Sequence, residues 1–403
     1  MAAEDGPFTP PEPPAPQYYH CSNAVQHSLF PPFARSLDAA VHWRLGKVPF
    51  DVPQGLTFEA VDPEGFWRDS RVLHPRPVQL VRHLGVGGNG TRLVDLEGSS
   101  SGPGRHPGAA KLIARARLQP AGVEAPLVLI LHGFAVPAPI YDERYARMFA
   151  ASGAHAVRLD LPFHLRRRVR DRCSGAGFFG ADLELVRGSI RQSVEDAAAI
   201  VAWSRSRLTS RVLILGFSLG GLVALLLAAQ TEVDGLVAVV PFCDPPHTFL
   251  ERLPGRARRK IGLVGGSGGV WGSDTDAARA VLDASLAPLV PANLKPLTAG
   301  GIMTLISAGL DTVVGPGPIH ELGARWDAEV WDYPRHGHMS VLSARGLAAR
   351  IHRRLLPERA PAEALQPTLA REALDTARYT AGVAADAAEL TVDRATTDIR
   401  LAG

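Results

Sequence analysis

The sequence predicts an α/β fold, a mostly parallel central sheet with helices on both faces, and three observations carry that expectation. From about residue 125 short apolar runs alternate with helical stretches. The runs are apolar almost throughout, which is the pattern of strands buried on both faces. One of them, Arg211–Leu215, passes through Gly216-Phe217-Ser218-Leu219-Gly220-Gly221 into a second apolar segment, so strand, sharp turn and helix follow one another without a polar break.

The strands expected in this region are Pro126–Leu131, His155–Leu161, Arg211–Leu215, Gly235–Phe242, Gly301–Ala308 and Ala328–Tyr333. Helices are expected near 140–152, 183–207, 219–230, 317–326 and 340–355. Right-handed crossovers would bring the C-terminal ends of the parallel strands to one edge of the sheet, where open α/β sheets bind ligands.

Upstream, Gln79–Gly98 reads as two strands around Asn89-Gly90, a pair that favours a tight hairpin turn, and Lys111–Leu118 alternates like a half-exposed strand. Residues 1–17 are Pro-rich and expected to be disordered, and 18–74 form an extension without clear periodicity, expected to pack on the main domain. The main domain is placed at 75–357. A stretch of about 244–300 breaks the alternation and is too long for an ordinary loop, so it is assigned as a lid insertion after the sixth strand. An Ala-rich tail covers 358–403.

Composition narrows the function classes. A net charge of +3 over 403 residues gives no basis for nucleic acid or an anionic membrane as partner. Cys21, Cys173 and Cys243 are scattered, so neither a disulfide framework nor a thiolate zinc site is expected. The first residues, MAAEDGPFTPPEPPAPQ, have no apolar segment of the secretory type, and the expected location is cytoplasmic. Val212–Thr231 carries no charge and is long enough to span a bilayer. Its three glycines favour a buried strand, turn and helix instead, so no transmembrane segment is expected.

Ser218 is the candidate nucleophile. A serine hydroxyl must project toward a base while its own turn stays clear, and G-x-S-x-G achieves this with glycines where a larger side chain would collide. The following helix points its N-terminus at the hydroxyl, where free N–H groups favour an oxyanion. Two similar patterns lack this setting. Gly265-Gly266-Ser267-Gly268-Gly269 lies in a Gly-rich run, and Gly85-Val86-Gly87-Gly88-Asn89-Gly90 is followed by a strand, leaving no helix N-terminus for a pyrophosphate.

A tetrahedral intermediate needs two donors on its oxygen. The expected donors are the backbone N–H groups of Leu219, after the nucleophile, and of Phe134, in Leu131-His132-Gly133-Phe134 at the end of the first parallel strand. His132 is expected to support that loop. Asp311, where the chain leaves Gly301–Ala308, is the candidate acid, with Asp244 as its rival after the preceding strand. His338, in Arg335-His336-Gly337-His338-Met339-Ser340, is the candidate base; His336 is the alternative, or lines the pocket. The order Ser, Asp, His along the chain fits this assignment.

On these motifs residues 75–357 resemble the α/β-hydrolase superfamily. The blocks LDLPFHLRRR, Gly177-Phe178-Phe179 with Asp182, GFSLGG and GHMSVL are similar to a bacterial group related to the mammalian α/β-hydrolase-domain protein eighteen. The resemblance implies a serine esterase, lipase, amidase or thioesterase that needs no cofactor or metal. The expected function is hydrolysis of a small-molecule or lipid-like ester or thioester through an acyl-enzyme. An acyltransferase using the same triad and a non-catalytic binding protein on the same scaffold are the alternatives. The Arg166–Arg172 run could meet an anionic substrate, though a loop paired with nearby acids is the simpler reading.

Overall fold

The computed structural model describes residues 30–45, 59–68, 70, 72, 74–87, 90–100, 109–180, 182–253 and 275–359. The Pro-rich start, the Gly265–Gly269 stretch and nearly all of the Ala-rich tail therefore lie outside the described residues.

Nine strands form one sheet in the order β1-β2-β3-β5-β4-β6-β7-β8-β9. They are β1 (Val78–Val86), β2 (Arg92–Ser99), β3 (Lys111–Leu118), β4 (Leu127–Leu131), β5 (His155–Asp160), β6 (Val212–Phe217), β7 (Gly235–Val239), β8 (Met303–Ala308) and β9 (Glu329–Tyr333). The first three strands pair antiparallel, β3 pairs antiparallel with β5, and every other neighbour is parallel. The interrupted segment follows β7 in chain order; it comes sixth only if the outermost strand β1 is set aside.

Burial explains the sequence pattern. Strands β4 to β8 are buried at every position, because helices cover both of their faces. Strand β3 alternates between buried and partly exposed, and β1 is largely open to solvent at the sheet edge. Among the described residues the helices α1 (Phe30–Leu45), α2 (Pro63–Arg68), α3 (Ile140–Ala151), α4 (Leu183–Arg207) and α5 (Leu219–Ala228) precede β7. Helices α4 and α5 touch one another on one side of the sheet. On the other, Phe149 of α3 stacks on His352 of the helix Leu347–Leu355. The uncharged run Val212–Thr231 is accounted for by β6, a turn and α5, and among the described residues no helix is long and apolar enough to cross a membrane.

The expected helix over 340–355 is divided. A short 3-10 turn, Ser340–Ser343, is followed by Leu347–Leu355, with Gly346 at φ 77° starting the second piece. The extension before β1 holds α1 and α2, neither of which the sequence had marked. Trp67 of α2 donates its indole N–H to Pro288 O at 2.8 Å, and Ser285 Oγ reaches Glu59 O at 3.0 Å. Glu59 and Trp67 thus bind to the end of the helix Thr275–Leu286 and the turn after it.

The parallel register sets the site. Leu131 pairs with Gly216, Gly216 with Ala238, and Val239 with Ile306. The loops that carry Gly133, Ser218 and Asp311 therefore leave the sheet at one edge.

Candidate active site

Ser218 sits in the turn between β6 and α5 with φ 49° and ψ −110°, a backbone conformation that L-residues adopt only under constraint. Three hydrogen bonds hold it there. Ser218 N donates to Val239 O at 2.9 Å, and Ser218 O accepts from Phe242 N and Leu222 N, each at 3.1 Å. The glycines around it are steric requirements. A Cβ on Gly216 would lie 2.4 Å from Gly220 O, and one on Gly221 2.8 Å from Pro241 Cβ.

His338 bridges the other two candidate residues. Its Nε2 lies 3.0 Å from Ser218 Oγ, and its Nδ1 lies 2.8 Å from Asp311 Oδ2. With the Nδ1–H donating to the carboxylate, the Nε2 lone pair faces the serine hydroxyl, which is the tautomer proton abstraction needs. The other oxygen of Asp311 accepts from Val313 N at 2.8 Å and Val314 N at 2.9 Å. Asp311 and His338 are almost fully buried.

Burial alone would push the His338 pKa down, but the facing Asp311 charge, its hydrogen bond and the Asp38 charge outweigh it and hold the imidazole above its ordinary value. Burial likewise pushes Asp311 up, and the imidazole with the two backbone N–H groups more than offsets this, keeping the carboxyl below its ordinary value.

The loop after β4 runs beside the serine: a Cβ on Gly133 would lie 3.6 Å from Ser218 Cβ. His132 braces that loop. Its Nδ1 lies 2.7 Å from Gly133 O, and Leu161 N donates to its Nε2 at 3.0 Å, so it is committed to backbone on both sides. Leu219 is the first residue of α5, in the turn whose N–H groups have no partner within the helix.

The two rivals are placed elsewhere. Asp244 caps a short helical turn, accepting from His247 N at 2.9 Å, and makes no contact with His338. His336 Nδ1 lies 3.0 Å from Ser340 O, and the residue does not line the cavity described next. The start of the Arg run is bound to acids: Arg166 meets Asp160 at 2.6 Å and Asp95 at 2.7 Å. Arg167 is fully buried against Asp196 at 2.8 Å, so part of the run is core and not solvated loop.

A cavity of about 60 Å³ opens beside Ser218. Its wall is aromatic, and four separate segments build it: Phe134 after β4, Phe179 after β5, Phe242 after β7 and Phe249 from the segment beyond it. Phe179 lies 4.8 Å from Phe134, 5.8 Å from Phe242 and 5.5 Å from Phe249, ring centre to ring centre. Val313 and Val314 extend the apolar lining.

Two residues at the site were not found by sequence reasoning. His42 of α1 lines the cavity and contacts Thr312 O at 3.1 Å through Nε2; burial holds its pKa below the ordinary imidazole value. Asp38, one turn earlier, is fully buried behind His338. The signal that could have marked them is a helical stripe, Ala34, Leu37, Asp38, Val41, in which an acid occupies an apolar position. Among the described residues no group of three or more His, Cys, Asp or Glu is placed to hold a metal ion.

A serine on a sharp strand-to-helix turn, at the C-terminal edge of a mostly parallel sheet, is the architecture of one fold family. The model of the alpha/beta hydrolase family matches residues 128–351, more than half of the chain, and the chain belongs to that family. Among solved structures it is similar to acetyl xylan esterase 1 from Thermoanaerobacterium sp. JW/SL YS485, at 16% identity and a TM-score of 0.54, over 76% of this chain and 99% of that one. It is also similar to an acetyl xylan esterase from Paenibacillus sp. R4, at 16% identity and a TM-score of 0.51, over 73% and 93% of the two chains. No curated protein matches the chain by sequence.

Proposed function

We propose that the protein is a serine hydrolase that cleaves carboxylic ester or thioester bonds through an acyl-enzyme. One observation carries the reading: the unbroken line from Asp311 Oδ2 through His338 to Ser218 Oγ, with contacts of 2.8 and 3.0 Å. Ser218 attacks the substrate carbonyl as His338 Nε2 takes its proton, and Asp311 stabilises the imidazolium. The N–H groups of Phe134 and Leu219 receive the oxyanion, each worth about 10²–10³ in kcat in comparable sites. The proton on His338 passes to the leaving alkoxide or thiolate, and water activated by the same histidine then releases the acid.

The cavity supports a short, apolar acyl group. Its volume of about 60 Å³ is room for only about four to six water molecules, each needing about 10–15 Å³ of such space, and its lining is almost wholly apolar. The blocks at Gly177–Phe179, Gly216–Gly221 and Gly337–Leu342 support placing the chain with the bacterial group related to α/β-hydrolase-domain protein eighteen.

The test is Ser218→Ala assayed on p-nitrophenyl acetate and butyrate. Turnover is expected to vanish while the circular dichroism spectrum stays that of the parent. Residual turnover at the parent's rate would refute the assignment.

A further inference from the structure

Helix α1 lies outside the matched family region, yet it delivers a carboxylate into the heart of the candidate site. Asp38 is fully buried, and both its oxygens are occupied by donors from two different loops. Asp38 Oδ2 accepts from Thr312 N at 3.1 Å and from Thr312 Oγ1 at 3.4 Å, on the loop that carries Asp311. The same oxygen accepts from His338 N at 3.0 Å, and Oδ1 accepts from Met339 N at 3.1 Å, on the loop that carries the base. We propose that Asp38 is a positioning residue for the triad, one carboxylate that locks the acid-bearing loop to the histidine-bearing loop. The proposal rests on the function proposed above.

Two further observations agree with it. Gly337 leaves the carboxylate room: a Cβ there would lie 2.7 Å from Asp38 Oδ2, so the residue before the histidine must be bare for the clamp to close. His42, one helical turn from Asp38, contacts both the carbonyl and the hydroxyl of Thr312 at 3.1 and 3.2 Å, so α1 grips the acid loop twice. Backbone–backbone bonds between the two loops, such as Leu310 N to His336 O at 2.8 Å, join residues that precede Asp311 and His338 in the chain. Asp38 joins the stretches at and just beyond them.

The alignment at stake is fine. A shift of about 1 Å in a reacting group can cost about 10²-fold in rate, and the relative placement of the two loops sets both the Asp311–His338 and His338–Ser218 contacts. Asp38 also contributes charge. Among the described residues, the groups facing His338 are Asp311, Asp38, His42 and the Ser218 hydroxyl, and both carboxylates favour the protonated imidazole.

The experiment compares Asp38→Asn and Asp38→Glu with the parent, with rates expressed per fluorophosphonate-reactive site so that an unfolded fraction does not enter. For Asp38→Asn, kcat per site is expected to fall about 10–100-fold with KM little changed. The acid limb of its kcat/KM profile is expected to move to lower pH, because the imidazolium loses a neighbouring anion. Asp38→Glu keeps the charge but displaces it, so kcat per site is expected to fall while the acid limb stays near the parent's. Arg35→Ala, exposed on the same helix, serves as the unaffected control. Parent kcat per site and an unmoved acid limb in Asp38→Asn would overturn the proposal, leaving Asp38 a purely structural residue. If Asp38→Asn does not fold, Asp38→Glu decides: parent kcat per site there overturns it equally. Ser218→Ala in the same assay separates the failures. Should that variant keep parent turnover, the proposed function falls and the role of Asp38 with it.

Discussion

Gly220, in the first turn of α5, faces the carbonyl of Leu131 at the end of β4 so closely that a Cβ there would stand 2.2 Å from that oxygen. This contact brings together the two segments expected to donate to the oxyanion, the start of α5 and the loop that begins at His132. Gly220→Ala must push them apart. Overpacking of this kind costs about 1–3 kcal/mol, and because the obstacle is backbone the upper end is expected. Chemical denaturation should show the loss of stability, and kcat should fall further than the unfolded fraction explains.

The choice between acids is open to a direct comparison. Asp311→Asn is expected to lower kcat by about 10⁴-fold, since the amide no longer fixes the imidazole tautomer or faces its charge. Asp244→Asn keeps a side chain that can cap the turn at His247, and since the carboxylate bonded to His338 is that of Asp311, it should leave turnover near the parent's. The reverse pattern would move the acid to Asp244.

The pH dependence has a definite sign. His338 is held above the ordinary imidazole value of 6.5, so the base is still protonated at pH values where a free imidazole would be neutral. The acid limb of kcat/KM should therefore lie above pH 6.5 in the parent. The same shift contributes stability that is complete below pH 6.5 and lost as pH rises through the folded value. Asp311, held below 3.8, contributes stability present above that pH and lost as pH falls through its folded value. Thermal unfolding of the parent and of Asp311→Asn should accordingly converge under strong acid.

Acyl-chain selectivity follows from the aromatic wall. The kcat/KM is expected to peak among acetyl to butyryl esters and to decline for longer chains. Phe249→Ala, which opens the wall on the side of the segment after β7, should shift the optimum toward longer chains. An optimum that does not move would show that Phe249 does not limit the acyl site.

Most of the fold was legible because its signals are local. Continuous apolar runs such as Val212–Phe217 mark strands buried on both faces, and the glycines around Ser218 mark a turn with no room for side chains. The segment 30–45 was not legible. Its helix begins with Pro31 and Pro32, its apolar stripe is interrupted by Asp38 and His42, and it stands far in sequence from Thr312 and His338, to which it is bonded. Likewise Arg166 and Arg167 read as a loop paired with nearby acids, but the burial of Arg167 was not legible, because the acids that hold the two, Asp95, Asp160 and Asp196, are scattered along the chain.

By itself, then, the sequence determined the order of the nine strands, the elbow at Ser218 and the order of the candidate triad, since each depends on backbone requirements that neighbouring residues express. Only the tertiary structure decided that Asp311 and not Asp244 meets His338, that His336 turns to backbone, that four phenylalanines close one small cavity, and that Asp38 reaches the two loops behind the site. Those relations depend on which segments the sheet register and the packing of α1 bring within 3–4 Å, a distance at which direct contact operates and one that no local pattern encodes.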